Sequence, residues 1–184
     1  MSEKSSPPLL VLIGFMGAGK TTLGRMMAAK LACPFVDLDA EITRVHGTIA
    51  ELFAAHGESG FRTIEHEFLG HTLERLRPPA ILALGGGAFI QTENRHLLEQ
   101  HSATTILLDA PFHILRSRLA GTGQVRPLAR DLERLEALYL ERRPAYSLAH
   151  HTVDTSGSDP AQLVDSLVEL AHSLGVTARQ RDKL

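Results

Sequence analysis

The stretch Leu9-Leu10-Val11-Leu12-Ile13-Gly14-Phe15-Met16-Gly17-Ala18-Gly19-Lys20-Thr21-Thr22 decides the fold. Its first five residues are apolar without alternation, the pattern of a strand buried on both faces of a sheet. Gly14 to Thr21 then satisfies GxxxxGK[ST] in full, and Leu23, Met26, Met27 and Leu31 beyond it recur at helical spacing. Strand, glycine loop and helix in that order make a phosphate cradle. Glycines let the chain turn tightly enough for the N–H groups of Gly17, Ala18, Gly19, Lys20, Thr21 and Thr22 to converge on phosphate oxygens. The helix adds the positive end of its dipole. Lys20 is placed to reach the β- and γ-phosphates, and Thr21 to set its hydroxyl on Mg²⁺, a cation that takes oxygen ligands and keeps several waters. The motif specifies a nucleoside triphosphate and leaves kinase, hydrolase, switch and motor open.

Outward from the loop, Phe35 to Asp37 reads as a second short strand. Asp39 to His56 carries helical periodicity interrupted at Gly47, and a further helix is expected from Glu58 to Arg75. Pro78-Pro79 ends it, and Ala80 to Leu84 is a third apolar strand running into Gly85-Gly86-Gly87. Thr92 is the expected N-cap of a helix reaching His101, Thr104 to Leu108 a fourth strand, and Pro111 the first turn of a helix to Arg118. Gly121 to Arg130, rich in Gly and Arg and without apolar periodicity, reads as a mobile loop. A helix from Leu132 to Ala149, a strand at Thr152 to Asp154 and a helix from Pro160 to Leu174 complete the alternation. Buried strands alternating with helices imply an open parallel α/β sheet, whose ligands bind beyond the carboxyl ends of the strands.

The chain has 184 residues, 43% apolar and 22% charged, which fits one domain with a substantial core. Nineteen Lys plus Arg stand against 21 Asp plus Glu, a net charge of −2. No global attraction to nucleic acid or an anionic membrane is expected, and any anion site is local. No apolar run approaches the roughly 18 residues of a membrane span. The polar leader Met1 to Pro8 resembles neither a secretory nor a transit signal, so a cytoplasmic protein is expected. The lone Cys33 reads as a buried structural thiol. His66-Glu67-Phe68-Leu69-Gly70-His71 is one residue too long for HExxH. Five residues advance a helix by about 500°, so these histidines do not share a face and read as a surface pair.

Asp37 and Asp39 lie two apart at the end of the second strand, where a period of two sends both side chains to one face. One can organise hydrated magnesium while the other takes a hydroxyl proton. Alternatively, Asp39 caps the next helix.

With Gly14 to Arg25, Phe35-Val36-Asp37-Leu38-Asp39, Gly57-Glu58 with Phe61-Arg62 and Glu65, Gly85-Gly86-Gly87, Arg126-Pro127-Leu128 and Arg142-Arg143-Pro144-Ala145-Tyr146 in order over residues 9 to 160, the chain resembles shikimate kinase. The resemblance implies a three-layer P-loop kinase fold: a five-stranded parallel sheet in the order 2-3-1-4-5, flanked by helices and closed by a mobile lid at about 119–130. It implies one domain over 1–184, with the core sheet and P-loop at about 9–37 and a shikimate-binding segment at about 38–75. The implied reaction is transfer from ATP, with Mg²⁺, to the 3-hydroxyl of shikimate, a step toward chorismate and the aromatic amino acids. Thr21 and, through water, Asp37 would hold the metal. Lys20, Asp39 and Arg126 would be catalytic, with Asp39 the base. Asp39, Arg62, Gly85, Gly86, Gly87 and Arg142 would bind shikimate, and Arg118, Arg126 and Pro160 would join the P-loop residues around ATP. A monomer acting on a small molecule, without nucleic acid or membrane, is expected.

Two arginines on different segments can fix a small acid, because each guanidinium presents a planar fork to a carboxylate. A surface ion pair with Glu65 or Glu58 is the other reading of Arg62, and Arg143 is the other candidate for the second fork. The adenine-facing arginine before the lid falls on Arg116 or Arg118. The chain departs from the family pattern in Ala129 after Arg-Pro-Leu and in a His46 to Ile49 segment one residue shorter than the usual form. A gluconate or other hydroxy-acid kinase and a non-catalytic ligand sensor are the alternatives. An intact Lys20, Asp39 and Arg126 argues against the sensor.

Overall fold

A computed structural model of the chain describes residues 8–121, 132–157 and 159–176. Five strands, β1 (Leu9–Ile13), β2 (Phe35–Asp37), β3 (Ala80–Ala83), β4 (Ala103–Asp109) and β5 (His151–Asp154), pair in parallel in the order β2-β3-β1-β4-β5. This is the expected order. All five residues of β1 and all four of β3 are buried, as their unbroken apolar runs require. Leu12 pairs with both Ala83 and Ile106 at the centre of the sheet, where full burial of a Leu is worth roughly 1.5–3 kcal/mol. Among the described residues seven helices flank the sheet: α1 (Lys20–Leu31), α2 (Leu38–His46), α3 (Ile49–Arg75), α4 (Thr92–Gln100), α5 (Phe112–Gly121), α6 (Leu132–Tyr146) and α7 (Pro160–Ser173). A short 3₁₀ turn, Ala88–Ile90, follows the glycine triplet.

Several boundaries differ from expectation, each for a local reason. β2 ends at Asp37 as expected, its pairing with Ala83 being the last in that ladder, but α2 begins one residue earlier than expected, at Leu38. Asp39 therefore sits in the first turn of a helix, and the period-two argument for its direction does not apply. The helix cap is Asp37, whose Oδ1 accepts from Ala40 N at 3.2 Å. The break at Gly47 is present, and α3 starts from a capping box in which Thr48 and Glu51 satisfy each other's backbone N–H groups. α3 then runs through to Arg75, with the expected second boundary surviving only as a kink at Gly57, φ 67° and ψ −176°. That backbone is left-handed, and glycine occupies it without a Cβ penalty. Thr92 is the first helical residue of α4 and Gln91 its N-cap. α5 continues past Arg118 to Gly121 because Leu119 still has a surface to cover: a Cβ built on Gly17 would stand 3.2 Å from Leu119 Cγ. The helix thus reaches into the expected lid, whose remaining residues, Arg126 among them, lie outside those described.

His66 is not a surface residue. It is half-buried, with Nδ1 2.6 Å from Asn94 Oδ1, whereas His71 is exposed beside Glu74.

Candidate active site

β1 delivers the glycine loop to the N-terminus of α1. Gly19 holds φ 94°, and α1 has neither a capping side chain nor an acidic residue in its first turn. Its leading amides therefore present an uncompensated positive end to the cavity beside them. That cavity, of about 750 Å³, is walled by residues 16–23 and extends past Asp37 to Asp39, Leu84 and Gly86. Lys20 Nζ folds over the loop, donating to Gly14 O at 2.8 Å and Phe15 O at 3.1 Å. The hydroxyl of Thr21 donates to Asp37 Oδ2 at 2.5 Å, so a hydroxyl and a carboxylate converge at the phosphate end.

Arg118, Gly157 and Pro160 also line the cavity. Arg118 donates to Thr155 O and, at 3.2 Å, to Gly157 O, tying α5 to the segment after β5. Arg116 is exposed and makes no part of this wall. Pro160 opens α7, with Asp159 as cap accepting from Ala161 N at 2.9 Å.

Gly85-Gly86-Gly87 follows β3, and three charged side chains crowd it. A Cβ on Gly85 would approach both Asp39 Oδ1 and Glu65 Oε1 closer than 3.0 Å, and one on Gly87 would do the same to the Arg62 guanidinium. Gly86 has ordinary space, with Arg142 Nη1 at 3.5 Å from such a Cβ. Its carbonyl oxygen accepts from Arg142 Nη1 at 3.1 Å and from the Tyr146 hydroxyl. The turn is a seat for functional groups, and its middle carbonyl is the anchor.

Arg62 donates to Glu65 Oε2 at 2.7 Å and to Glu58 Oε1 at 3.2 Å. Both ion pairs weighed from sequence therefore exist, but the first is not a surface pair, because Glu65 is only 1% exposed. The Arg62 guanidinium also lies 5.4 Å and 5.9 Å from the ring centroids of Phe61 and Phe53. Burial pushes the Glu65 carboxyl above its ordinary range, and Arg62 opposes that shift. Burial also drives the Tyr146 phenol up to about 12. Arg142 is buried while Arg143 is 54% exposed, bonded to Tyr139 and lying 3.7 Å from Asp109. The inward guanidinium is that of Arg142.

The fold thus gathers Lys20, Thr21, Asp37, Asp39, Gly86, Arg118 and Pro160 on one cavity. Arg62 and Arg142 do not wall it and instead reach the glycine turn. Sequence reading assigned Glu65 no role of its own. A signal existed, because Phe61, Glu65, Leu69 and Leu73 recur every fourth residue and all four are buried, so an acid stands in an apolar stripe. No comparable signal marks Gln91, whose Nε2 donates to Glu65 Oε2 at 3.0 Å.

A protein-family model described as shikimate kinase matches residues 16–172. The shikimate kinase of Geobacillus kaustophilus is 39% identical over 176 residues, covering 92% of this chain and 93% of that protein. A crystal structure of shikimate kinase from Bacteroides thetaiotaomicron has a TM-score of 0.82 at 31% identity, over 90% of this chain and 98% of that one. The Acinetobacter baumannii shikimate kinase, solved in complex with shikimate, has a TM-score of 0.81 at 35% identity, over 92% of this chain and 95% of that one.

Proposed function

The chain belongs to the shikimate kinase family and is an enzyme that phosphorylates shikimate with ATP, and we propose that transfer to the 3-hydroxyl takes place between the P-loop and the glycine turn. The observation that carries this placement is the continuity of one cavity from the amides of α1 to Asp39 and Gly86. Phosphate-binding and acceptor-side groups share it without an intervening wall of side chains. Purified protein assayed for ADP release tests the reading: turnover with ATP and Mg²⁺ that requires shikimate supports it, and turnover indifferent to shikimate ends it.

In this reading the backbone of Gly17 to Thr22 and the ammonium of Lys20 hold the triphosphate. Lys20 exchanges its two loop carbonyls for phosphate oxygens, a stronger charge-assisted pairing. Asp39 accepts a hydrogen bond from the 3-hydroxyl and takes its proton. Arg62 and Arg142 orient the carboxylate of shikimate beside Gly85, Gly86 and Gly87. Since phosphoryl transfer depends on alignment and charge stabilisation, holding both partners rigidly is most of the catalysis. Arg126, from the lid, neutralises charge on the transferred group, while Arg118 and Pro160 flank the base.

The all-oxygen pair Thr21 and Asp37 fits Mg²⁺, which prefers hard oxygen ligands and is usually held by one or two protein groups plus phosphates and water. Thr21 would ligate it and Asp37 would hold one of its waters; bound there, the ion would offset negative charge on the phosphates. Among the described residues no group of three or more His, Cys, Asp or Glu side chains is placed to hold a metal, so the phosphates would complete the set.

We further propose a single P-loop kinase domain over 1–184, with the shikimate-binding segment at about 38–75 and the lid at about 119–130. It is a cytoplasmic monomer without nucleic-acid or membrane partners. Among the described residues no helix is long and apolar enough to cross a membrane.

A further inference from the structure

Glu65 is the only buried carboxylate among the described residues, and it is crowded. Its Oε2 accepts from Arg62 Nη1 at 2.7 Å and from Gln91 Nε2 at 3.0 Å, while its Oε1 faces Gly85 alongside Asp39 Oδ1. An ionised carboxylate only accepts hydrogen bonds, so the amide nitrogen of Gln91, not its oxygen, turns toward it. Two acids over one glycine repel, and burial works against keeping Glu65 charged. A neutral donor on Oε2 supports that charge without adding a second cation to compete with Arg62.

Gln91 is itself held firmly. It is the N-cap of α4, and the two α4 residues that follow Glu93 fasten that helix start to the 3₁₀ turn. Asn94, fully buried, donates from Nδ2 to Ala88 O at 2.9 Å and faces His66 with its oxygen. Arg95 Nη1 donates to Phe89 O at 2.9 Å and to Ile90 O at 2.7 Å. All three carbonyls of the turn that begins at the end of the glycine triplet are thereby bound from α4. The head of α4 also bonds two successive residues of α3, Glu65 through Gln91 and His66 through Asn94.

We propose that Gln91 is a positioning residue for shikimate: it fixes Glu65, and Glu65 in turn fixes the plane of Arg62 against Gly87. A bidentate fork recognises a carboxylate only in the correct plane, so a loosened Glu65 weakens acid binding even though Gln91 does not touch shikimate. This rests on the assignment of Arg62 to the carboxylate of shikimate.

Gln91 is only partly buried, so its variants are suited to testing in the folded enzyme. Gln91→Met keeps length and removes the donor; Gln91→Glu keeps shape and places a second acid against Glu65. Gln91→Met is expected to raise the KM for shikimate about 5- to 10-fold, the scale of one ordinary net hydrogen bond, because Gln91 acts on the acid only through Glu65 and Arg62. kcat and the KM for ATP should stay within about twofold. Gln91→Glu should raise the shikimate KM further, whereas Gln91→Lys, which restores a donor but adds a second cation that competes with Arg62 for Glu65, should recover only part of it. Arg62→Lys is measured in parallel. If it raises the shikimate KM and Gln91→Met does not, the positioning role is wrong while the clamp stands. If Arg62→Lys also leaves that KM unchanged, the clamp fails and this inference with it. Equal loss of kcat and both KM values in all Gln91 variants, with a falling Tm, would reduce Gln91 to a structural cap and overturn the proposal.

Discussion

Thr21 donates its hydroxyl hydrogen to Oδ2 of Asp37 at 2.5 Å, joining the first turn of α1 to the last residue of β2. Asp37 is simultaneously the cap of α2, so one carboxylate links the phosphate loop to the segment that carries Asp39. Thr21→Val removes the hydroxyl at nearly constant volume. It is expected to raise the Mg²⁺ concentration giving half-maximal initial rate about 10- to 100-fold, the scale on which lost metal-site groups lower metal affinity, with Thr21→Ser close to the parent. Rates measured across a Mg²⁺ titration, and after EDTA treatment and Mg²⁺ restoration, check this.

Separate roles for the cations predict separate kinetic signatures. Arg62→Ala removes ground-state binding and should raise the KM for shikimate about 10- to 100-fold with a smaller change in kcat. Lys20→Ala and Arg126→Ala should chiefly lower kcat, the latter by up to about 10³-fold if it neutralises charge on the transferred group. Steady-state kinetics with each substrate varied in turn would show it. An unchanged shikimate KM in Arg62→Ala would remove Arg62 from the clamp.

The glycine triplet offers a test that separates stability from function. A Cβ on Gly87 meets the Arg62 guanidinium, the movable end of a long side chain, so Gly87→Ala should cost little stability. It should nonetheless lower kcat/KM for shikimate about tenfold or more by displacing that guanidinium, leaving the KM for ATP unchanged. Gly86→Ala, whose Cβ meets only ordinary contacts, should stay within about threefold. Thermal melts and kinetics on the two variants decide it, and equal effects would discard the distinction.

Tyr146 links burial to pH. Its phenol is raised from 10.0 to about 12, chiefly by desolvation, so the folded state retains a proton that the unfolded chain releases. Stability from this group is fully present below about pH 10 and is lost as pH rises through about 12, a total of about 2.7 kcal/mol for two units. Urea unfolding between pH 9 and pH 11.5 should therefore fall more steeply for the parent than for Tyr146→Phe. The variant loses the bond to Gly86 O and should be about 1 kcal/mol less stable at neutral pH. Parallel slopes in the two proteins would contradict the assignment.

The central architecture and the phosphate site were written in local stretches of chain. An unbroken apolar run cannot be anything but interior in a chain of this composition, and Gly14 to Thr21 carries within eight residues every group that the phosphate cradle needs. The acceptor side depended on contacts between segments far apart. Sequence ended β2 at Asp37 and began the helical pattern at Asp39, but it could not show that the helix already starts at Leu38 with Asp37 as its cap, so the direction of Asp39 rested on a strand period that does not reach it. Nor could it choose Arg142 over Arg143, since that depends on which face of α6 meets Gly86. Gln91 was invisible for the same reason: its partner Glu65 is 26 residues away, and only the docking of α4 on α3 brings the amide to the carboxylate. Hydrophobic periodicity acts over a few residues and is legible in order along the chain, whereas the direction of a polar side chain is settled by whatever the packed helices leave for it to bond.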